Sequence, residues 1–324
     1  MNVFQKYLAS EFAEDYEEGR LTRREALKLI ASVTGSLLLA DSILAACAPP
    51  PESPAAVVPT GTSALTATEG LQASATPEPA TPEELQETST TSPGDSEIQA
   101  QAVEFPGQGA TLLGYLARPA QDGSFPVILV CHENRGLTEH IQDVTRRLAE
   151  AGYVALAVDL LSREGGSQAL GTDQIPGVLG NMPPEQFVQD FVSGWQYLGS
   201  QPFAQADKVG MTGFCFGGGV TWLVATQMPE LLAAVPFYGP HPPVEDVPNI
   251  QAAVLAIYAG NDQRINQGIP PIEEAMLANG KIYEKVIYPN TDHAFHNDTG
   301  PRYNAEAAQD AWSRTLAWFK QYVG

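Results

Sequence analysis

The sequence predicts an α/β domain over residues 101–324, with a mostly parallel β-sheet covered by helices on both faces. Short apolar and β-branched runs alternate with amphipathic stretches throughout this region. One such run, residues 126–131, carries no charged residue, which is typical of a strand buried on both faces of a parallel sheet. Residues 1–100 lack this alternation and differ in composition.

Within this domain the pattern predicts eight strands and five helices. An opening hairpin is followed by six strands, so that the predicted strands cover residues 101–105, 110–118, 126–131, 153–158, 207–212, 233–237, 252–258 and 281–288. Amphipathic spacing predicts helices over residues 140–151, 184–198, 220–228, 272–278 and 304–322. In parallel sheets the chemistry collects at the C-terminal ends of the strands, so the loops after these strands are the expected location of functional residues.

The most informative motif lies between the strand at 207–212 and the helix at 220–228, and reads Gly213-Phe214-Cys215-Phe216-Gly217. A nucleophile on a strand-to-helix turn needs small residues two positions to either side, because a Cβ there would strike the backbone. The helix N-terminus would favour the Cys215 thiolate, and the N–H of Phe216 would point at an oxyanion formed by attack on a carbonyl. The motif therefore predicts a nucleophilic Cys215.

A thiol nucleophile needs a base, and the base needs a carboxylate that fixes its tautomer. Asp262 and His293 follow two later strands, and the order nucleophile, acid, histidine is that of α/β-hydrolases. By distance along the chain alone, His296 competes with His293 as the base. Cys131 ends a buried strand and is expected to be a core residue, with oxidative pairing to Cys215 as the alternative.

Residues 101–324 resemble the dienelactone hydrolase family of the α/β-hydrolase fold. The resemblance is carried by four motifs, His132-Glu133-Asn134-Arg135-Gly136-Leu137, Gly213-Phe214-Cys215-Phe216-Gly217-Gly218, Gly260-Asn261-Asp262 and His293-Ala294-Phe295. It implies a hydrolase that cleaves an ester or lactone bond of a small molecule through a thioester. Neither a cofactor nor a metal is expected.

The resemblance also implies a role for each residue of the site. It assigns catalysis to Cys215 as nucleophile, His293 as base, Asp262 as the group that orients His293, and Glu133 as a contact of the resting thiol. It assigns the oxyanion hole to the N–H groups of Phe216 and Asn134.

The resemblance also implies residues that bind the substrate, and at one of these positions this chain departs from the family. Arg163 matches a family arginine that binds the substrate carboxylate, and Tyr238 is expected in the pocket wall. A second such arginine usually lies four residues after the catalytic histidine, where this chain has Asn297. Arg302, further along the same loop, is a candidate substitute for the missing clamp. The alternatives are a broader carboxylesterase or acyl transferase, and a non-catalytic lipid-anchored binding protein on a hydrolase scaffold.

Residues 1–47 are predicted to be an export signal. Arg23 and Arg24 precede a moderately apolar run over residues 29–46, which resembles a twin-arginine signal, a type that exports folded proteins. The run ends in Leu44-Ala45-Ala46-Cys47, which resembles a bacterial lipobox, so Cys47 is expected to carry lipid. The alternative is an amphipathic helix with an incidental cysteine.

Residues 48–100 contain no Lys, Arg or aromatic residue and are rich in Pro, Ser, Thr, Ala and Glu. This composition predicts a disordered tether. The chain is therefore expected to be an exported bacterial monomer on the extracytoplasmic face of the membrane, which it contacts only through its N-terminal lipid. The net charge of -21 argues against a nucleic-acid partner.

Overall fold

The computed structural model describes residues 1–47 and 97–324 of the 324-residue chain. Within these residues eight strands form one sheet. Their bounds are β1 Ile98–Gly107, β2 Ala110–Pro119, β3 Phe125–Cys131, β4 Val154–Asp159, β5 Ala204–Phe214, β6 Ala233–Phe237, β7 Ala253–Ala259 and β8 Tyr283–Tyr288. The strand order across the sheet is β1-β2-β4-β3-β5-β6-β7-β8.

The sheet is parallel from β4 to β8 and antiparallel at the edge formed by β1 and β2. In the register at its centre, Leu129 of β3 lies between Leu156 of β4 and Met211 of β5. Every residue of β4 and β7 is buried, so helices and loops cover both faces of the sheet. The predicted α/β-hydrolase architecture is confirmed.

The helices of the described residues fall into two groups. Three precede the sheet, α1 Val3–Glu17, α2 Arg23–Thr34 and α3 Leu37–Cys47. The others are α4 Glu139–Glu150, α5 Ile175–Asn181, α6 Pro184–Gly199, α7 Phe216–Gln227, α8 Gln263–Asn266, α9 Ile269–Ala278 and α10 Ala305–Tyr322. Short 3-10 turns lie at Ser162–Glu164, Ser167–Ala169 and Val244–Asn249.

All eight predicted strands and all five predicted helices are present, with shifted ends. β1 begins at Ile98, so three residues assigned to the tether pair with β2 instead. The remaining tether prediction, for residues 48–96, lies outside the described residues. Two helices of the α/β domain were not predicted, because α8 has four residues and α5 contains two glycines and a proline.

The N-terminal residues form helices that pack on the α/β domain. Capping boxes start α1, with Asn2 and Gln5, and α2, with Thr22 and Glu25. The apolar run predicted over residues 29–46 is divided at Gly35, whose φ of 69° ends α2. Across the two described segments of the chain, no helix has both the length and the apolar character needed to cross a membrane.

Candidate active site

Cys215 lies on the sharp turn between β5 and α7, with φ 60° and ψ -121°. Positive φ is unfavourable for a residue with a Cβ, and it persists here because close packing enforces it. A Cβ on Gly217 would lie 2.5 Å from the carbonyl oxygen of His132, and one on Gly213 would overlap the Gly217 carbonyl. The two glycines therefore permit the turn that presents the Cys215 sulfur, as the sequence predicts.

Asp262 and His293 meet at the ends of β7 and β8. The Nδ1–H of His293 donates to Asp262 Oδ2 at 2.6 Å, and Asp262 Oδ1 accepts from the backbone N–H of Ile265 at 3.2 Å. Burial pushes the Asp262 pKa up, but the charge and hydrogen bond of His293, together with the Arg264 charge and the Ile265 N–H, outweigh burial and lower that pKa below its ordinary value. The charged carboxylate fixes the proton on Nδ1 and leaves Nε2 directed towards Cys215.

The competing histidine lies in the core. The His296 ring stacks on Phe214 with 5.0 Å between centroids, and burial holds its pKa well below the usual range. The structure therefore brings His293, and not His296, to Asp262. Tyr238 is fully buried and packs its ring edge-to-face on His293 at 5.0 Å, but it does not line the cavity beside Cys215, where the sequence analysis expected it.

A residue from the N-terminus joins the nucleophile to the base. Tyr7 of α1 places its hydroxyl 3.1 Å from Cys215 Sγ and 3.2 Å from His293 Nε2. Burial raises the Tyr7 pKa well above its ordinary value, so the phenol is neutral. The hydrogen bond expected directly between Cys215 and His293 is thus replaced by a bridge through Tyr7.

The carboxylate that contacts the Cys215 thiol belongs to Glu11 of α1, with distances of 3.7 and 3.8 Å from Sγ to the two carboxylate oxygens. The resemblance assigned this contact to Glu133. In the structure Glu133 accepts a hydrogen bond from the Asn297 amide at 2.7 Å. Asn297, which stands where the family usually has arginine, thus hydrogen-bonds with Glu133, and Glu133 does not make the contact with the Cys215 thiol that the resemblance implies.

These surroundings keep the Cys215 thiol protonated. Burial, followed by the negative charges of Glu11 and Glu133, raises its pKa well above the ordinary value. Hydrogen bonds from Tyr7 and from the backbone N–H of Phe216 oppose this rise without cancelling it. The thiolate expected at the helix N-terminus is therefore not favoured while α1 is in place.

Glu11→Gln is expected to lower the Cys215 pKa, because it removes a negative charge that opposes the thiolate. Alkylation follows the thiolate, so the pH profile of Cys215 alkylation by iodoacetamide should shift to lower pH. Glu17→Gln alters an exposed carboxylate of the same helix and should leave the profile in place. A profile that Glu11→Gln leaves unmoved, or shifts to higher pH, would contradict this electrostatic account.

Between the catalytic loops and the N-terminal helices lies a cavity of about 560 Å³, within the size range of small-molecule sites. The catalytic domain contributes Cys215 and His293, Asn134 of the predicted oxyanion hole, and Arg302. The N-terminal helices contribute acidic residues, one of which, Asp15, places Oδ1 3.8 Å from Arg302 Nη1. Arg302 therefore lines the cavity, where a substitute for the missing second arginine of the family would have to lie.

Arg163 does not line this cavity, contrary to the sequence prediction. Its guanidinium makes a bidentate pair with Asp190, at 2.7 and 2.9 Å, and donates to the Gln108 carbonyl at 3.2 Å. Asp190 is fully buried and would be an unpaired charge without it. In the structure Arg163 therefore neutralises Asp190 and is not available to a substrate in the cavity.

Among the described residues, one group has the donors of a metal site. Ligand atoms of Glu11, Cys215 and His293 lie within 4.8 Å of one another, and zinc commonly binds such a set. The Tyr7 hydroxyl already hydrogen-bonds with two of the three. Cys131 does not belong to this group and is fully buried in the core. Cys131 and Cys215 are both free thiols, so they are not paired with each other in the structure.

The sequence analysis missed Tyr7 and Glu11 as residues of the site. Helical spacing of Phe4, Leu8 and Phe12 predicts an amphipathic α1, but this signal does not indicate where the helix docks. The twin-arginine pattern led instead to an export function for the whole segment.

Comparison with known proteins identifies the catalytic domain. The profile of the dienelactone hydrolase family matches residues 112–323. The chain belongs to the dienelactone hydrolase family. Because the match begins within β2, the helices α1 to α3 of this family member lie outside the matched region.

Two curated relatives agree with this assignment to the dienelactone hydrolase family. A candidate carboxymethylenebutenolidase of Methylorubrum extorquens is 40% identical over 233 residues, which cover 68% of this chain and 80% of the relative. A candidate carboxymethylenebutenolidase of Escherichia coli K12 is 37% identical over 246 residues, which cover 71% of this chain and 90% of the relative.

A solved structure gives the same result. The crystal structure of a candidate dienelactone hydrolase from Klebsiella pneumoniae is 34% identical, with a TM-score of 0.65. The similarity covers 69% of this chain and 99% of that structure.

Proposed function

We propose that this chain hydrolyses an ester or lactone bond of a small molecule through Cys215, His293 and Asp262, with a thioester intermediate. The geometry of His293 carries the proposal. Its Nδ1 donates to a charged Asp262 at 2.6 Å, while its Nε2 is one hydroxyl away from the sulfur on the strained turn. The relatives named as carboxymethylenebutenolidases support a lactone or ester substrate.

Acylation begins once substrate replaces the Tyr7 hydroxyl between sulfur and imidazole. The thiol proton passes to His293 Nε2 as the sulfur bonds to the carbonyl carbon, and the π electrons of the carbonyl move to its oxygen. The N–H groups of Phe216 and Asn134 stabilise that oxyanion. When the oxyanion collapses, the carbon–oxygen ester bond breaks, and the departing alkoxide takes the proton from His293. The acyl group remains on Cys215 as a thioester.

Deacylation repeats these steps with water as the nucleophile. His293 Nε2 accepts a proton from water as the water oxygen attacks the thioester carbonyl. The second oxyanion collapses, the carbon–sulfur bond breaks, and the thiolate recovers its proton from His293. Asp262 stabilises the imidazolium in both halves of the reaction, since its carboxylate remains charged.

We assign the substrate-carboxylate subsite to Arg302, because it lines the cavity while Arg163 is paired with Asp190. Arg302→Ala is expected to lower kcat/KM for a carboxylated lactone about 10- to 100-fold, the effect of losing a charge-assisted hydrogen bond. A neutral aryl ester should be hydrolysed nearly as before. Arg314→Ala, which alters an exposed ion pair with Asp310, is the control.

Two results would oppose this assignment to Arg302. Equal losses for the carboxylated and the neutral substrate would remove its basis. Indifference of the parent enzyme to the substrate carboxylate would favour a general carboxylesterase. Adding an alcohol as competing acceptor separates hydrolysis from acyl transfer, since transfer converts the acyl group to a new ester.

Residues 1–47 are proposed to be a twin-arginine lipoprotein signal, and the mature chain a lipid-anchored extracytoplasmic protein. Arg23 and Arg24 are both exposed at the start of α2, where an export receptor can reach them. Cells fed radioactive palmitate should label the parent chain and leave Cys47→Ala unlabelled. Equal labelling of the two chains would refute lipidation of Cys47.

A further inference from the structure

The apolar face of α1 is seated in the mouth of the active site. Phe4, Leu8 and Phe12 are exposed by only 1%, 0% and 5%. The Phe4 ring packs against Phe187 and Phe216, with centroid distances of 5.1 and 5.0 Å. Since Phe216 directly follows the nucleophile, α1 is held against the turn that presents Cys215.

The polar residues of α1 occupy positions that the reaction needs. The Tyr7 hydroxyl lies between Cys215 Sγ and His293 Nε2, where a general base must reach the thiol and later the attacking water. The Glu11 carboxylate lies 3.7 Å from the same sulfur. A substrate carbonyl therefore cannot meet Cys215 and His293 together while these two side chains remain.

The catalytic domain supplies a cation to hold α1 in this position. Arg264, at the start of α8 and only 12% exposed in its side chain, donates to the Glu14 carboxylate at 3.2 Å. Its guanidinium lies 4.6 Å from the centre of the Tyr7 ring, a cation–π contact. Arg264 thus contacts the ring of Tyr7, while the hydroxyl of Tyr7 contacts Cys215 Sγ.

The contact of α2 with α5 shows close complementarity of shape. A Cβ on Gly180 of α5 would lie 2.9 Å from Val33 Cγ1, and one on Gly177 would lie 3.0 Å from Ser32 Cβ. The Asn181 amide donates to the Ser32 carbonyl at 2.9 Å. The absence of side chains at these two α5 positions lets α2 approach the catalytic domain.

We propose that the active-site cleft binds the chain's own α1–α2 pair as an intramolecular inhibitor, which keeps the hydrolase inactive until residues 1–46 are removed or displaced. This inference rests on the proposed role of Cys215 as nucleophile. The inhibitory pair precedes residue 112, where the family match begins. Arg23 and Arg24 stay exposed while α1 is docked, so a folded, inactive enzyme can still present its export motif.

The test is to remove the apolar anchors of α1 from the full chain. Phe4→Ser with Leu8→Ser is compared with Val3→Ser with Lys6→Ser, which changes the exposed face of the same helix. All variants carry Cys47→Ala, and two quantities are measured. One is the rate of Cys215 alkylation by iodoacetamide, determined by mass spectrometry of the Cys215 peptide. The other is kcat/KM for p-nitrophenyl acetate. Both should rise at least about tenfold in the anchor variant, because buried anchors are lost, and stay near parent values in the control.

Gly180→Val, which forces α2 off α5, should raise both readouts as well. Unchanged alkylation in both the anchor variant and Gly180→Val would overturn the proposal. So would faster alkylation with slower ester hydrolysis, because α1 would then be part of the catalytic apparatus. Faster alkylation without ester hydrolysis in any chain would support the masking of Cys215 and would refute the proposed hydrolase reaction instead.

Discussion

Cys215→Ala should lower kcat/KM for p-nitrophenyl acetate by roughly 10⁴-fold or more, since removal of a catalytic nucleophile leaves only binding and the oxyanion hole. Cys131 cannot replace it, because the Cys131 side chain is fully buried. The loss is best measured in the Phe4→Ser and Leu8→Ser background as well as in the full chain, so that masking by α1 does not hide it.

Cys131→Ala is the matched control for the loss of a thiol. It removes a buried sulfur that contacts the His132 carbonyl at 3.8 Å, and it should reduce stability by a cavity term while leaving most of the activity. If Cys215→Ala kept the turnover of its parent, the thioester mechanism would be wrong. Comparable losses in the Cys131 and Cys215 variants would point to a structural effect on the sheet.

Asp262→Asn is expected to reduce kcat/KM by roughly 10²- to 10⁴-fold. The Asp262 carboxylate accepts the Nδ1 proton of His293 at 2.6 Å and fixes the tautomer that leaves Nε2 free to take a proton. An amide can instead donate its N–H to Nδ1 and so favour the opposite tautomer. An amide also stabilises the imidazolium less well, because it carries no charge.

Asp292→Asn controls for the removal of a carboxylate from the same loop region. Asp292 is exposed, and its Oδ1 accepts from the Asn261 amide at 2.8 Å. We expect hydrolysis of p-nitrophenyl acetate to change little in this variant. If Asp262→Asn were equally mild, His293 would have to be oriented by another group, and the triad would need to be redrawn.

The fold follows from local sequence patterns that the structure reproduces. The wholly buried β4 and β7 correspond to apolar runs that alternate with amphipathic helices. Gly213 and Gly217 indicate the turn at Cys215 in the sequence, because no residue with a Cβ fits at either position. Such features depend on a few neighbouring residues, so one sequence is enough to reveal them.

The remaining features of the site depend on contacts between distant parts of the chain. Tyr7 meets Cys215 across 208 positions, and no local pattern encodes that contact. Arg163 was expected in the substrate site, but it forms an ion pair with the buried Asp190, which lies 27 positions later in the chain. An amphipathic pattern indicates that α1 buries one face without saying against which surface.

The docking of α1 also changes the expected protonation state of the Cys215 thiol. Its helix N-terminus alone would favour a thiolate, whereas burial and the charge of Glu11 raise the Cys215 pKa. Export and inhibition are compatible roles for one segment, because the exposed arginines and the buried Tyr7 lie on different helices. Removal of the residues before Cys47 would then leave the enzyme on its proposed lipid anchor and unblock its nucleophile.

The most direct measurement is the mass of the Cys215 peptide during turnover. The anchor variant Phe4→Ser with Leu8→Ser is mixed with p-nitrophenyl acetate, quenched in acid within the first turnover and digested. We predict one added acetyl group on Cys215 that neutral hydroxylamine removes, as expected for a thioester, and that disappears as substrate is exhausted. Continued hydrolysis with Cys215 unmodified, or with the acetyl group on another residue, would contradict the account.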